Sequence, residues 1–262
     1  MQTTIKGIVV NYELTGKEGA PVVVLSHSLG SSLVMWEPQL PFLEPHLRVL
    51  RYDTRGHGGS GATGDGYTFE QLADDVVGLL DGLGISRAHF VGLSMGGMIG
   101  QALGLGHPDR ILSLSLCDTA AANPPGSREI WQERIDRVRK EGLAPLLTPT
   151  LERWFRPEFL RQTAPILEKI RQQFLATSIN GYVGCSQAIM ALDYLEKLGK
   201  IQIPTLIVVG EEDPGTPVSA ARAMQERMVD SKLVILRGAR HLSNVEQAEA
   251  FSRAVLEFLI RK

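Results

Sequence analysis

A serine flanked by two glycines is the feature of this sequence with the clearest chemical meaning. Residues 92–96 are Gly-Leu-Ser-Met-Gly, a G-x-S-x-G pattern that follows a predicted strand, Ala88–Val91, and opens a predicted helix, 94–106. At such a turn the backbone of the serine is strained, and its neighbours two residues away have no room for side chains. The pattern predicts Ser94 as a nucleophile, although a plain strand–helix turn in a glycine-rich chain would look the same.

A serine nucleophile needs a base, and His241 has the right position among the six histidines. It follows the predicted strand 232–236 and precedes the last predicted helix, so we expect it at the same sheet edge as Ser94. The alternative for His241 is a helix-capping role.

Asp213 is the predicted acid that orients this base. It follows the apolar run Thr205–Val209, again at the end of a predicted strand. The chain order serine, aspartate, histidine is the order expected when a nucleophile elbow of this type carries the serine. Glu211, Glu212 and Asp118 are competing acids, and a solvated acidic turn is the non-functional alternative.

Two backbone N–H groups are predicted to stabilise the oxyanion. One belongs to Met95, directly after the nucleophile, and the other to Leu29 in the loop that follows the first buried strand.

Strand and helix patterns alternate along most of the chain, which predicts an α/β fold with a parallel sheet and helices on both faces. Further strands are predicted at 5–14, 21–25, 48–52 and 111–116. The helix after Thr68 has a capping-box start with Gln71, and a second capping box, Ser243 with Glu246, is predicted for the last helix.

Residues 121–195 interrupt the alternation, because they contain helical periods and prolines but no convincing strand. We therefore expect a core formed by residues 1–120 and 196–262, with an all-helical cap formed by residues 121–195. Such an insertion would lie over the carboxyl edge of the sheet, where open α/β sheets bind ligands.

Composition excludes several classes of function. The net charge of −2 gives no basic field for nucleic acid, and no apolar run is long enough to span a membrane. With two cysteines and no export signal, a cytoplasmic location with free thiols is expected. No nucleotide-binding or metal-binding motif is found, so neither cofactor nor metal is expected.

These motifs together resemble the α/β-hydrolase superfamily and, within it, the 3-oxoadipate enol-lactonases. The resemblance rests on Ser28-Leu29-Gly30, Arg51 to Gly58, Gly92 to Gly100, Glu152-Arg153-Trp154-Phe155 and His241 to Gln247. It implies a mostly parallel eight-stranded sheet, and it places nucleophile, acid and base on Ser94, Asp213 and His241. One departure is His27, because similar proteins often carry asparagine there, which leaves the fine positioning of the oxyanion loop open.

The resemblance also implies a reaction, the hydrolysis of a small carboxylate-bearing enol-lactone to 3-oxoadipate. A carboxylesterase, perhydrolase or carbon–carbon bond hydrolase on the same fold remains the alternative, because a fold does not fix its substrate. A ligand receptor without turnover is disfavoured by the complete triad.

A substrate carboxylate would need a partner in a closed apolar site, because an unpaired buried charge is unfavourable. We expect the partner in the cap, where Trp131, Trp154 and Arg134 are the candidates. Arg134 lies three residues after Trp131 and so shares its helix face. The equally weighted alternative is that both tryptophans only pack the cap onto the core.

Overall fold

Eight strands form one sheet in the computed structural model, which describes residues 1–64, 66–162 and 164–261. The strand order is β1-β2-β4-β3-β5-β6-β7-β8, and only the pairs β1–β2 and β2–β4 are antiparallel. The prediction of a mostly parallel eight-stranded sheet is confirmed. The strands are β1 (Gln2–Ile5), β2 (Ile8–Gly16), β3 (Val22–Ser26), β4 (Arg48–Tyr52), β5 (Ala88–Leu93), β6 (Ile111–Cys117), β7 (Thr205–Gly210) and β8 (Ser231–Leu236).

The central strands are apolar on both faces because helices cover both sides of the sheet. All residues of β5 and β7 are buried. Strand β3 lies between β4 and β5, so the chain leaves it in one direction and returns on its other side. This is the reversal of strand order at which open α/β sheets form their ligand crevice.

The helices follow the predicted pattern in the core. In α2 the buried stripe packs inward, and the Thr68 hydroxyl accepts from the N–H of Gln71, as the capping pattern predicts. None of the helices in the described residues is long and apolar enough to cross a bilayer. The α-helices are α1 (Leu40–Leu43), α2 (Phe69–Gly82), α3 (Met95–Gly106), α4 (Ser127–Glu141), α5 (Leu147–Trp154), α6 (Pro157–Leu160), α7 (Pro165–Ala176), α8 (Ile179–Met190), α9 (Val218–Arg227), α10 (Ser243–Glu246) and α11 (Ala248–Leu259). Short 3₁₀ helices occur at Leu33–Gln39, Pro108–Arg110, Ala144–Leu146 and Leu195–Lys200.

The helices α4 to α8 lie between β6 and β7, and the described residues of this segment include no β-strand. Its two ends meet at the base, where the N–H of Tyr194 donates to Ala121 O at 2.7 Å and Ala122 forms a β-bridge with Asp193. We call residues 121–195 the cap; its boundaries as a domain stay a prediction.

One backbone contact joins the cap to the loop after β4. A β-carbon on Gly181 would lie 2.4 Å from the Cα of Gly56, so both positions need glycine. The N–H of Ser178 donates to Gly56 O at 3.0 Å. Next to this contact, Arg55 makes two hydrogen bonds of 2.7 Å to the Asp75 carboxylate.

The predicted second capping box is wrong. Leu242, not Ser243, occupies the N-cap of α10. The Ser243 hydroxyl instead donates to the Asp118 carboxylate, and Glu246 accepts from the backbone N–H groups of Arg156 and Arg240. Tertiary partners, invisible to a local pattern, have taken both side chains.

Candidate active site

Ser94 occupies the sharp turn that the G-x-S-x-G pattern predicts. Its backbone angles are φ 57° and ψ −115°, a strained conformation for a residue with a side chain. A β-carbon on Gly92 would lie 2.1 Å from Gly96 O, so the flanking glycines are sterically required. Two bonds hold the turn, from Ser94 N–H to Cys117 O at 2.8 Å and from the Thr119 hydroxyl to Ser94 O at 2.8 Å.

The three predicted triad residues meet at the carboxyl edge of the sheet. His241 Nε2 lies 2.9 Å from Ser94 Oγ, and His241 Nδ1 lies 2.8 Å from Asp213 Oδ2. All three side chains are largely buried, with Ser94 the most accessible at 8%. The arrangement allows the imidazole to take a proton from the serine while the carboxylate fixes the other ring nitrogen.

The Asp213 carboxylate is held by a turn that sequence reasoning missed. Oδ1 accepts from the N–H groups of Gly215 and Thr216, and Oδ2 accepts from the Thr216 hydroxyl at 2.6 Å. Burial opposes ionisation, yet the charge and hydrogen bond of His241, together with Thr216, lower the pKa of Asp213 below its ordinary value. The signal was the sequence Asp-Pro-Gly-Thr, in which an aspartate can accept bonds from residues two and three positions later.

The competing acids have other environments. Glu211 and Glu212 are exposed. Asp118 is fully buried, and its carboxylate accepts from Gly210 N–H at 2.7 Å and from the Ser243 hydroxyl. Burial, and then the nearby Asp213, raise the pKa of Asp118 well above its ordinary value. Asp118 therefore joins the loop before Asp213 to the loop after His241, and it makes no hydrogen bond with the imidazole.

Leu29 lies at the tip of a tight turn beside Ser94. Ser31 N–H closes the turn onto Ser28 O at 3.1 Å, and Gly30 supplies the positive φ of 71°. The Leu29 N–H donates to no acceptor in the described part of the chain. Met95 is the first residue of α3, whose initial N–H groups have no acceptor within the helix. Both predicted oxyanion donors are thus placed near Ser94 with their N–H groups uncommitted.

Two buried histidines anchor this turn. His27 donates from Nδ1 to Ser28 O at 2.8 Å and accepts from Thr54 N–H, while His57 accepts from Gly30 N–H at 3.0 Å. Burial lowers the pKa of His27 to about 4, and burial with the neighbouring His27 lowers that of His57 to about 3. Both rings are neutral at pH 7, as an Nε2 acceptor requires. His27, where similar proteins often carry asparagine, thus holds the turn by a hydrogen bond at each ring nitrogen. The contact of His57 with Gly30 was not predicted from the sequence.

A cavity of about 220 Å³ opens above the triad, under the cap. Its wall includes Leu29, Ser94 and His241 from the core. The three residues predicted to bind substrate also line it: Trp131, Arg134 and Trp154. Arg153, which was not predicted, lines it too.

Arg134 stands in this wall with neutral partners. Its Nε donates to the Tyr182 hydroxyl at 2.6 Å and Nη2 donates to the Thr150 hydroxyl at 3.2 Å. The guanidinium lies over the Trp131 ring, 5.4 Å from the centroid, so the predicted shared face is confirmed. No carboxylate in the described part of the chain pairs with Arg134.

Arg153 is the residue that sequence reasoning overlooked, although it lies inside the quoted Glu-Arg-Trp-Phe run. Its half-buried side chain makes no hydrogen bond or ion pair with any described residue. Burial, and then the neighbouring Arg134, lower its pKa to about 10, so it still carries its charge at neutral pH. A second arginine one residue from a predicted cavity tryptophan was the available signal.

Trp154 lines the cavity and also connects the cap to the loop that carries His241. It is 2% exposed, its ring packs edge-on against Phe174, and its carbonyl accepts from Leu242 N–H, next to His241. Within the described residues there is no cluster of three or more side chains suited to hold a metal ion.

The fold and this site define a hydrolase, and comparison with known proteins shows its family. Residues 21–248 match the model of the alpha/beta hydrolase fold family. The chain belongs to that family, and it is an enzyme.

Individual members of this family show which proteins the chain is similar to. The chain is 38% identical to 3-oxoadipate enol-lactonase 2 of Acinetobacter baylyi, over 96% of this chain and 93% of that protein. The enol-lactonase structure from Burkholderia xenovorans LB400 superposes with a TM-score of 0.95 at 40% identity, covering 99% of this chain and 100% of that one. A protein of Caulobacter sp. that bears the name of a carbamate hydrolase, RutD, is 33% identical over 90% of each chain.

Proposed function

We propose that the chain hydrolyses the ester bond of a small enol-lactone that carries a carboxylate, as 3-oxoadipate enol-lactone does. The observation that carries this proposal is a pair of arginines, Arg134 and Arg153, that have no carboxylate partner among the described residues and line the same cavity as Ser94 and His241. Two enol-lactonases of Acinetobacter baylyi, 38% and 37% identical to this chain, support the same substrate class.

Each step uses a group already in place. Ser94 Oγ attacks the lactone carbonyl while His241 Nε2 takes its proton, and Asp213 stabilises the imidazolium. The N–H groups of Leu29 and Met95 receive the oxyanion. On collapse, the ring C–O bond breaks and the enol oxygen takes the proton from His241, which leaves a ring-opened acyl group on Ser94.

Water completes the reaction. His241 removes a proton from a water molecule that attacks the acyl group, and Ser94 leaves with that proton. The released enol becomes the ketone, so the product is a dicarboxylic keto acid. Through both stages the original carboxylate takes no part in bond changes, and Arg153 and Arg134 provide the positive charge that pairs with it in the cavity.

The experiment is to follow the loss of enol-lactone absorbance with purified enzyme, beside a neutral lactone of similar size and a small carbamate. We expect the acidic lactone to have the highest kcat/KM. A higher kcat/KM for the carbamate would contradict the proposal and favour the activity for which the RutD relative is named.

A further inference from the structure

A second groove lies on the outer side of the cap, between two helical segments. On α4 its lining residues are spaced as one helical stripe, 130, 133, 134 and 137, and on the segment 144–154 they are spaced the same way, 146, 149, 150 and 153. Two matching stripes that face each other without closing leave a groove of about 280 Å³.

This groove shares part of its wall with the active-site cavity. Ile130, Arg134 and Arg153 line both spaces. The side chains of Arg134 and Arg153 therefore border both the catalytic cavity and the outer groove. Ile130 is 67% exposed, so no described side chain covers the groove at this residue.

The groove carries an excess of positive charge. Arg134, Arg137 and Arg153 line it against one acid, Glu133. Arg137 pairs with Glu141 at the surface, a contact that solvent weakens. A concave wall with charge of one sign attracts ions of the other sign and raises their rate of association.

We propose that this groove is the entrance for carboxylate-bearing substrates, with Arg137 as the first contact and Arg134 and Arg153 as the cations that pass the anion into the catalytic cavity. The inference rests on the proposed function. It assigns a role to Arg137, which lines the groove and not the catalytic cavity.

The test compares Arg137→Glu with Lys200→Glu, an equal charge change at an exposed residue outside both spaces. Each variant is assayed with the mono-p-nitrophenyl ester of succinic acid and with p-nitrophenyl butyrate, at several salt concentrations. We expect the acid-to-neutral ratio of kcat/KM to fall about tenfold in Arg137→Glu at low salt and to recover at high salt, as surface electrostatics are screened. Lys200→Glu should leave the ratio unchanged.

The proposed entrance would be wrong if the acid-to-neutral ratio of kcat/KM were equal in the two variants. It would also be wrong if this ratio fell in Arg137→Glu and high salt did not restore it. The proposed function fails in a different way: wild-type enzyme would hydrolyse both esters but not the enol-lactone. The ester pair therefore tests the groove whichever lactone is the true substrate.

Discussion

The catalytic triad and the two cap arginines, Arg134 and Arg153, lie at the same cavity. They differ in whether their polar groups already have partners. Around Asp213 both carboxylate oxygens are bonded, and His241 has a partner on each nitrogen. Across the cavity, Arg134 has only neutral partners and Arg153 has none among the described residues. The hydrogen bonds of the triad are complete before substrate arrives, whereas no acidic side chain among the described residues lines the cavity beside the two arginines.

This difference separates two tasks. Groups that act on the reacting bond must be preorganised, because reorientation during the reaction would raise the barrier. Groups that select a substrate can stay unpaired, because the ligand supplies the missing charge and the penalty of leaving them unpaired falls on ligands without it. Three pairs of substitutions test this difference, and a fourth prediction concerns the stability of the oxyanion turn.

Removing the nucleophile should have the largest effect. Ser94→Ala removes only a hydroxyl, so the fold should remain while kcat falls by about 10⁶-fold, as in other triads of this kind. Labelling by a fluorophosphonate, followed by mass spectrometry, measures the same residue directly. Ser127→Ala, which changes another serine of the cavity, is the matched control and should keep the label on Ser94. Label on any other serine of wild type would refute the assignment.

Replacing the acid should come next. Asp213→Asn should lower kcat by about 10⁴-fold, because the amide cannot fix the reactive tautomer or stabilise the imidazolium. Asp118→Asn is the matched control at the neighbouring strand end. Its amide oxygen can still accept from Gly210 N–H, so we expect less than about a tenfold loss. If the two variants exchange these results, the acid of the triad is Asp118, directly after β6, and not Asp213.

Arg153→Met tests the other side of the comparison. Loss of a charge-assisted bond to the substrate should lower kcat/KM for the acidic lactone by about 10- to 100-fold. Because the methionine keeps an apolar stem of similar reach, a neutral ester should be affected far less. Arg134→Met should show the same preference but also a lower Tm, since Tyr182 and Thr150 lose their partner. Equal losses on both substrates would make the arginines structural.

The last prediction concerns stability instead of rate, namely the pH dependence of the oxyanion turn. His27 has its folded pKa lowered to about 4 from 6.5, so below pH 6.5 the unfolded chain binds the proton more readily. Its contribution is therefore fully present above pH 6.5 and is lost as the pH falls toward 4, on the order of 3 kcal/mol. His57, lowered to about 3, acts in the same direction.

Urea unfolding of wild type and His27→Asn at pH 7, 6, 5 and 4 measures this loss. Asparagine can accept from Thr54 N–H but does not titrate, so the variant should lose less stability on acidification. Parallel curves for the two proteins would show that His27 does not govern the acid sensitivity of the turn.

The catalytic end was predictable because each residue type there is required by local geometry. The turn at Ser94 leaves no room for side chains at Gly92 and Gly96, so its sequence pattern is specific. The acid and the base each follow an apolar run that predicts a strand, and the end of that strand marks the sheet edge. Strand ends converge in a parallel sheet, so three distant residues could be placed together from their positions in the chain alone.

The cap end was only half predictable. Periodicity placed Arg134 with Trp131, but nothing local says whether an arginine will find a carboxylate partner. That depends on which helices pack together, and α4 packs on α8, where its neighbour is Tyr182. The capping box at Ser243 failed for the same reason, since Asp118, far away in the chain, binds that hydroxyl.

The bridge that closes the base of the cap has a consequence for how such enzymes diversify. Ala121 and Tyr194 are hydrogen-bonded neighbours, so the cap begins and ends at almost one point. We expect that the helices between these two residues can be exchanged for another insert without moving β6 or β7, provided that the insert restores the bonds of Ser178 with Gly56 and of Trp154 with Leu242. We expect a chimera joined at this bridge to inherit its hydrolytic machinery from one parent and its choice of substrate from the other.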